Sequence, residues 1–205
     1  MSTLLIKNLH TLVTCDDRDS IIHQVDLLCK DGWIADIGPR LQDTADTVID
    51  GSHLWCYPGL VNTHHHLYQV FSRNLPQVQN LELFDWLTAL YEIWKGLNRD
   101  VVRLSSLTGM GELLGAQFAA AEELGVRMFA SRGSMDLSRK DGGLPPDSVV
   151  QTVDEILRDS ARVIEVYHDP RPGSMHQVAL APCSPFSVSP ELLRQSAVLA
   201  RQYGV

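Results

Sequence analysis

The stretch PGLVNTHHHLYQ, residues 58–69, carries the most chemical information in this chain. Side chains two residues apart in a β-strand project to the same face, so a strand here would place His64 and His66 side by side and turn His65 away. Two imidazoles so placed can hold one divalent metal ion. A polar strand end with solvent-exposed histidines has the same spacing. The Pro-Gly pair, the apolar run and the Asn-Thr before the histidines favour the metal site.

The elements that would position this pair form an α/β pattern. Residues 1–57 are strand-like runs separated by turn formers, which predicts the N-terminal part of a small β domain, a sandwich or a meander. From residue 58 to 205 short apolar strands such as LVNTHHH, VRMFAS and HQVALAP alternate with helical patterns. This alternation predicts βαβ units, and a (β/α)8 TIM-type barrel is favoured over a doubly wound open sheet. The histidine pair would then face the barrel mouth.

Two irregularities predict that only part of the barrel is present. GMGELL runs directly into GAQFAAAEELG, so helix meets helix near Leu114/Gly115 where a strand is expected. A complete barrel takes about 250 residues, and the pattern stops at a helix end, Tyr203-Gly204-Val205. We therefore expect a strand to be missing near 114/115 and the C-terminal half of the barrel to lie beyond Val205.

Three further side chains are candidates for contact with a planar substrate. Arg132 follows the strand VRMFAS and could bind a ring carbonyl, although a solvent-facing loop arginine fits equally. Gln69 lies just after the histidines and could read a heterocycle edge with its amide, unless it is a surface loop residue. Trp86 could stack on a ring, but its helical spacing in LFDWLTALYEIW also fits a core residue. The loop at residues 142–146 reads as a lid or as a plain connector.

Composition narrows the classes of partner and location. The formal net charge of −8 argues against nucleic acid and anionic membranes as main partners. No apolar run reaches the roughly 18 residues that a membrane span needs. The N-terminus reads as a strand rather than a signal peptide. The four cysteines contain no CxxC pair, which is typical of reduced thiols. A cytoplasmic protein acting on a small molecule is expected, and the oligomeric state stays open.

The stretch PGLVNTHHHLYQ resembles the first-strand signature of the amidohydrolase superfamily, and the resemblance extends over the whole chain. FASRGSMDLS and APCSPFSVSPELL are similar to the branch that contains 8-oxoguanine deaminases and triazine hydrolases. The resemblance implies one divalent ion, zinc or else iron, held by His64 and His66 together with a histidine and an aspartate from later strands. The catalytic glutamate and histidine would also lie beyond Val205. Purine deaminases of the superfamily use an arginine at a place similar to Arg132.

Two details refine what the resemblance implies. Cys183, in APCSPFS, stands where many deaminating relatives have histidine, which favours the 8-oxoguanine and triazine branch and makes Cys183 a fourth candidate for substrate contact. Binuclear relatives bridge two ions with a strand-end lysine, and HQVALAP contains none, so one ion is expected.

The function implied is hydrolytic deamination of an oxopurine such as 8-oxoguanine, in which metal-bound hydroxide attacks the ring and ammonia leaves. Hydrolysis of a chloro- or amino-substituted s-triazine is the near alternative. A non-catalytic barrel scaffold is the alternative from another class.

Overall fold

The computed structural model describes residues 2–108 and 114–205 and divides into two compact units, Met1–His64 and His65–Val205. The division falls a little later than the boundary predicted between residues 57 and 58. Across the described residues, no helix combines the length and the apolar character needed to cross a bilayer.

The first unit is a five-stranded sheet. Its strands are β1 (Thr3–Val13), β2 (Ile21–Lys30), β3 (Trp33–Gly38), β4 (Thr47–Asp50) and β5 (Trp55–Cys56). The order is β3-β2-β1-β4, and β5 also pairs with β1; β1 runs antiparallel to β2 and parallel to β4 and β5. The strand-rich segment predicted from the sequence is confirmed. The described residues of this unit form one sheet, so the sandwich is not confirmed.

Local chemistry explains how these strands meet. Asp31 and Gly32 join β2 to β3 with φ values of 51° and 83°, the two positive φ angles of the tight hairpin turn that Asp-Gly favours. Asn8, with φ 56°, bulges out of β1, and the pairing register shifts between Ile6 and Leu9. The buried carboxylate of Asp26 accepts hydrogen bonds from the backbone N–H of Asn8 at 2.8 Å and of Leu41 at 2.9 Å. The Asp26 carboxylate therefore stabilises the bulge, because it accepts the hydrogen bond of the Asn8 backbone N–H.

Apolar side chains of β1 and β2 form the core of this unit: Leu9, Leu12, Val25 and Leu27. The thiols of Cys29 and Cys56 pack against this cluster. Trp33 and Trp55 remain largely exposed to solvent.

The described residues of the second unit form five α-helices and two parallel strands, as well as short 3₁₀ turns. The elements are α1 (Leu83–Trp94), α2 (Arg99–Thr108), α3 (Leu114–Leu124), β6 (Met128–Ser134), α4 (Val153–Tyr167), β7 (His176–Pro182) and α5 (Pro190–Tyr203). Strands β6 and β7 pair in parallel from Met128↔His176 to Ser134↔Pro182. Because α4 connects them, they form the predicted βαβ unit. Phe118, Ala130, Val163, Ile164 and Val178 form the core between this sheet and its helices.

Capping residues fix where the helices begin. The sequence predicts a helix from about Asp147, but the helix starts at Val153 after a short 3₁₀ turn at Asp147–Val149. Thr152 explains the later start: its backbone N–H donates to the Glu155 carboxylate at 2.8 Å, and its hydroxyl accepts from the Glu155 backbone N–H at 3.3 Å. This reciprocal capping box satisfies N–H groups that the first helical turn leaves unpaired.

The strand predicted over LVNTHHH is wrong, since residues 57–66 contain no strand. A parallel strand takes its backbone hydrogen bonds from neighbouring strands, and within the described residues β6 and β7 pair only with each other. Leu60 and Val61 are correspondingly exposed. The predicted junction near Leu114/Gly115 opens α3, and residues 109–113 just before it lie outside the described part of the chain.

Candidate active site

The two candidate metal ligands are solvent-exposed, and the boundary between the two compact units runs between His64 and His65. The backbone N–H of His64 donates to the Asn62 side-chain oxygen at 3.2 Å. His66 is the N-cap of a 3₁₀ turn at Leu67–Ser72, and its ring meets Tyr68 edge-on at 6.2 Å. Within ranges 2–108 and 114–205, no group of three or more His, Cys, Asp or Glu side chains could hold a metal ion. Two imidazoles are the right donor type for zinc but fewer than a catalytic site uses.

Gln69 and Trp86 lie in the same unit as His66, each half-buried. Gln69 is part of the 3₁₀ turn, and its backbone oxygen accepts a hydrogen bond from the Ser72 hydroxyl at 3.0 Å. Trp86 meets Trp94 edge-to-face at 5.9 Å, and Trp94 also meets Tyr68 at 5.0 Å. We call Tyr68, Trp86, Tyr91 and Trp94 the aromatic cluster. Trp86 therefore packs against another aromatic ring while staying half-buried, and its stacking on a substrate stays a prediction.

A cleft of about 590 Å³ opens beside the carboxyl ends of β6 and β7, and both Arg132 and Cys183 line it. Parallel pairing brings them together, because the register continues to the last residue of each strand. The backbone N–H of Cys183 donates to the Ser134 oxygen at 3.0 Å, which extends the contact one residue further. The structure thus joins two of the four predicted substrate contacts in one cavity, of a size typical for small-molecule sites.

Arg132 is held by other protein groups within this cleft. Ala130, Arg132 and Ser134 alternate along β6 as buried residues, while Phe129 and Ser131 are exposed. The Arg132 Nε donates to Asp159 Oδ2 at 3.0 Å, and Nη2 donates to Gln151 Oε1 at 3.0 Å.

Nη1 of the same guanidinium donates to the Gly133 oxygen. The guanidinium, only 9% exposed as a residue, therefore ties the end of β6 to α4.

Asp159 is the shared acceptor of two arginines. Its Oδ1 accepts from Arg162 Nη2 at 2.6 Å, and its Oδ2 accepts from Arg132. Burial raises the pKa of Asp159, but the hydrogen bond from Arg162 and the charge of Arg132 outweigh burial and hold the pKa below its ordinary value. The carboxylate is ionised at neutral pH, so the three groups carry a net positive charge.

Sequence reasoning missed Asp159, Gln151 and Arg162, as well as Arg99 and Gln117, which also line the cleft. Nothing local in the sequence links Arg132 to a carboxylate 27 residues later in α4. The sequence did carry a weaker signal. Ile156, Ser160 and Val163 are buried along α4, so Asp159, which directly precedes Ser160, borders the buried face of this helix.

The segment that follows β6 is hydrogen-bonded to the residues just before α5. The backbone N–H groups of Asp136 and Leu144 donate to the oxygens of Ser187 at 3.0 Å and Phe186 at 2.9 Å. The Asp136 carboxylate also accepts from the backbone N–H of Ser189, the N-cap of α5, at 2.7 Å. These bonds favour the connector interpretation of residues 142–146 over the lid.

Comparison with known proteins finds relatives that are deaminases and aminohydrolases. The chain is 37% identical over 230 aligned residues to an 8-oxoguanine deaminase of Pseudomonas aeruginosa, an alignment that covers 100% of this chain and 51% of the relative. It is 34% identical over 240 residues to a hydroxydechloroatrazine ethylaminohydrolase of Pseudomonas sp. strain ADP, covering 100% of this chain and 50% of the relative. The chain thus spans about half the length of these relatives.

Among solved structures, atrazine chlorohydrolase TrzN from Arthrobacter aurescens TC1, complexed with zinc, superimposes with a TM-score of 0.85. Its sequence is 30% identical, and the match covers 98% of this chain and 51% of that chain. The folds agree over an α/β arrangement that makes up about half of the larger enzyme. The resemblance to the 8-oxoguanine deaminase and triazine hydrolase branch is therefore confirmed.

The sequence profile of the amidohydrolase family matches residues 55–205, which include PGLVNTHHHLYQ, both strands of the parallel pair and the cleft residues of α4. The chain belongs to the amidohydrolase family.

Proposed function

We propose that this chain is the N-terminal half of a metal-dependent hydrolytic deaminase that acts on an oxopurine such as 8-oxoguanine. The observation that carries the proposal is PGLVNTHHHLYQ within a family match over residues 55–205. The 37% identity to an 8-oxoguanine deaminase supports the choice of substrate class. The remaining strands would complete a (β/α)8 barrel.

In this proposal His64 and His66 supply two of the ligands of one divalent ion, preferably zinc. The donor type fits: both imidazoles are exposed and lie one residue apart. The ion would supply Lewis-acid activation of water near neutral pH. Zinc in the related atrazine chlorohydrolase supports this choice of metal. Because two ligands are too few for a catalytic site, the 205 residues alone should bind metal weakly.

Residues around the cleft would position the heterocycle. Cys183 is exposed and lines the cleft, where its thiol can donate a weak hydrogen bond. Arg132 retains few free N–H groups once Asp159, Gln151 and Gly133 are satisfied. A contact from Arg132 to a ring carbonyl would therefore use the remaining Nη hydrogens. Gln69 and Trp86 remain candidates on the segment that follows the histidine pair.

A second candidate function is hydrolysis of an s-triazine, displacing chloride or an amine. It is favoured by the 34% identity to hydroxydechloroatrazine ethylaminohydrolase and by the TM-score of 0.85 with atrazine chlorohydrolase. Sites that hydrogen-bond a ring edge reject analogues that lack the matching group. Parallel assays of 8-oxoguanine, guanine and a hydroxytriazine therefore separate the two functions.

The decisive experiment measures ammonia released from 8-oxoguanine by the purified protein that carries this chain. We expect activity with zinc, loss after chelation, and loss of at least a hundredfold in the His64→Ala and His66→Ala variants, since each removes a metal ligand. His65→Ala is the matched control, because that side chain is not a proposed ligand. Full activity in both ligand variants would disprove the metal assignment.

Metal analysis separates the enzyme from a non-catalytic scaffold. Stoichiometric zinc or iron in the intact protein supports the enzyme, and a metal-free protein that stays folded supports the scaffold. A cytoplasmic location belongs to the proposal as well. It is supported by the free thiols of Cys15, Cys29 and Cys56, and cell fractionation tests it.

A further inference from the structure

The charges around the cleft differ in sign from the rest of the chain. Among the residues that the structure describes, Arg99, Arg132 and Arg162 line it, together with one carboxylate, that of Asp159. Since Asp159 is ionised, these four groups sum to two positive charges, in a chain whose formal net charge is −8. A cavity with such walls attracts and retains an anion of about charge −2.

Arg99 is the cation of this set that has no carboxylate of its own. It opens α2, is exposed, and makes no ion pair within the described part of the chain. Arg132 and Arg162, in contrast, share Asp159. An anion in the cleft would therefore take Arg99 as its principal charge partner.

Gln117 adds a neutral hydrogen-bonding side chain to the wall of the cleft. It is 8% exposed as a residue and lines the same cleft. An amide at this place can donate a hydrogen bond to an oxygen atom of a bound molecule.

We propose that this cleft binds the phosphate group of a small molecule, with Arg99, Arg162 and the Gln117 amide as its donors. Phosphate carries close to two negative charges at neutral pH and accepts several hydrogen bonds, so it matches both the charge and the donors. A cavity of about 590 Å³ exceeds what phosphate alone fills and leaves room for an attached sugar. This is the cleft that the proposed function assigns to the heterocycle, so a phosphate group would either accompany the heterocycle or compete with it. Phosphate binding itself needs neither the metal nor the heterocycle, so its failure leaves the deaminase proposal standing.

The test is calorimetric titration of the metal-free protein with inorganic phosphate and, in a second arm, ribose 5-phosphate, against sodium chloride of equal ionic strength. We expect saturable binding of phosphate, with ribose 5-phosphate binding more tightly if the ligand is organic and equally if it is the free ion. Arg99→Gln should weaken binding about tenfold, the effect of one charge-assisted hydrogen bond.

Arg194→Gln is the matched control. Arg194 is an exposed arginine of α5 that does not line the cleft, and its removal changes the net charge equally. Gln117→Leu keeps the side-chain volume and should weaken phosphate binding severalfold without lowering the melting temperature. Absence of saturable binding, or equal losses in Arg99→Gln and Arg194→Gln, would overturn the proposal.

Discussion

Replacing Asp159 with asparagine tests how β6 is tied to α4. The substitution keeps the shape of the side chain but removes the charge that Arg132 and Arg162 share. Arg132 is 9% exposed, so its guanidinium would keep only neutral acceptors in a buried position. Breaking a fully buried ion pair costs about 3–5 kcal/mol.

Solvent reduces this cost, because the Asp159 side chain is itself 36% exposed. We therefore expect Asp159→Asn to lower the free energy of unfolding by about 2 kcal/mol, which is roughly 4–8 °C in melting temperature for a unit of this size. Thermal unfolding followed by far-ultraviolet circular dichroism measures it. Asp169→Asn is the control, since its Arg171 partner is highly exposed, and no measurable change is expected there.

The same residue predicts a dependence on pH. Because the pKa of Asp159 is lower in the folded protein than its ordinary value of 3.8, its contribution to stability is present above that value and is lost as pH falls through the folded pKa. The difference in stability between the wild type and Asp159→Asn should therefore shrink below about pH 4. A variant as stable as the wild type at pH 7 would refute the account of the ion pair.

Three further changes test local features. Thr152→Ala removes the capping box of α4 and should cost about 1 kcal/mol by urea unfolding; an unchanged midpoint would exclude the cap as a determinant. Gly143→Ala would place its Cβ 2.3 Å from the backbone oxygen of Leu137, so the soluble yield and melting temperature should fall; a normal melting temperature would show that the loop can shift. Burial raises the pKa of the Cys56 thiol, so iodoacetamide at pH 8 should modify exposed Cys15 first, as read by mass spectrometry; faster modification of Cys56 would contradict its packing.

Most features that depend on neighbouring residues were predicted well from the sequence, and the start of α4 is the exception. The hairpin at Asp31-Gly32 follows from a dipeptide that tolerates positive φ. The amphipathic segments predicted α1, α3 and α5. The start of α4 was predicted six residues too early, at Asp147 instead of Val153, because the capping box T-x-x-E at Thr152 to Glu155 was overlooked.

Features that depend on distant partners were harder to predict. The stretch 60–66 has the composition of a buried strand, but a strand also requires strands to pair with, and the described residues supply none for it. The partners of Arg132 lie 19 and 27 residues away, at Gln151 and Asp159, and neither spacing is a recognised motif. For the candidate site, the sequence indicated residue types, while the fold decided that Arg132 and Cys183 share one cleft.

The aromatic cluster has a spectroscopic consequence. Trp86 and Trp94 are shielded by ring contacts in the second unit, whereas Trp33 and Trp55 of the first unit are 59% and 60% exposed. The four indoles thus form two populations that differ in access to a soluble quencher such as acrylamide. Intrinsic fluorescence can therefore follow the two units of the chain separately, without any added label.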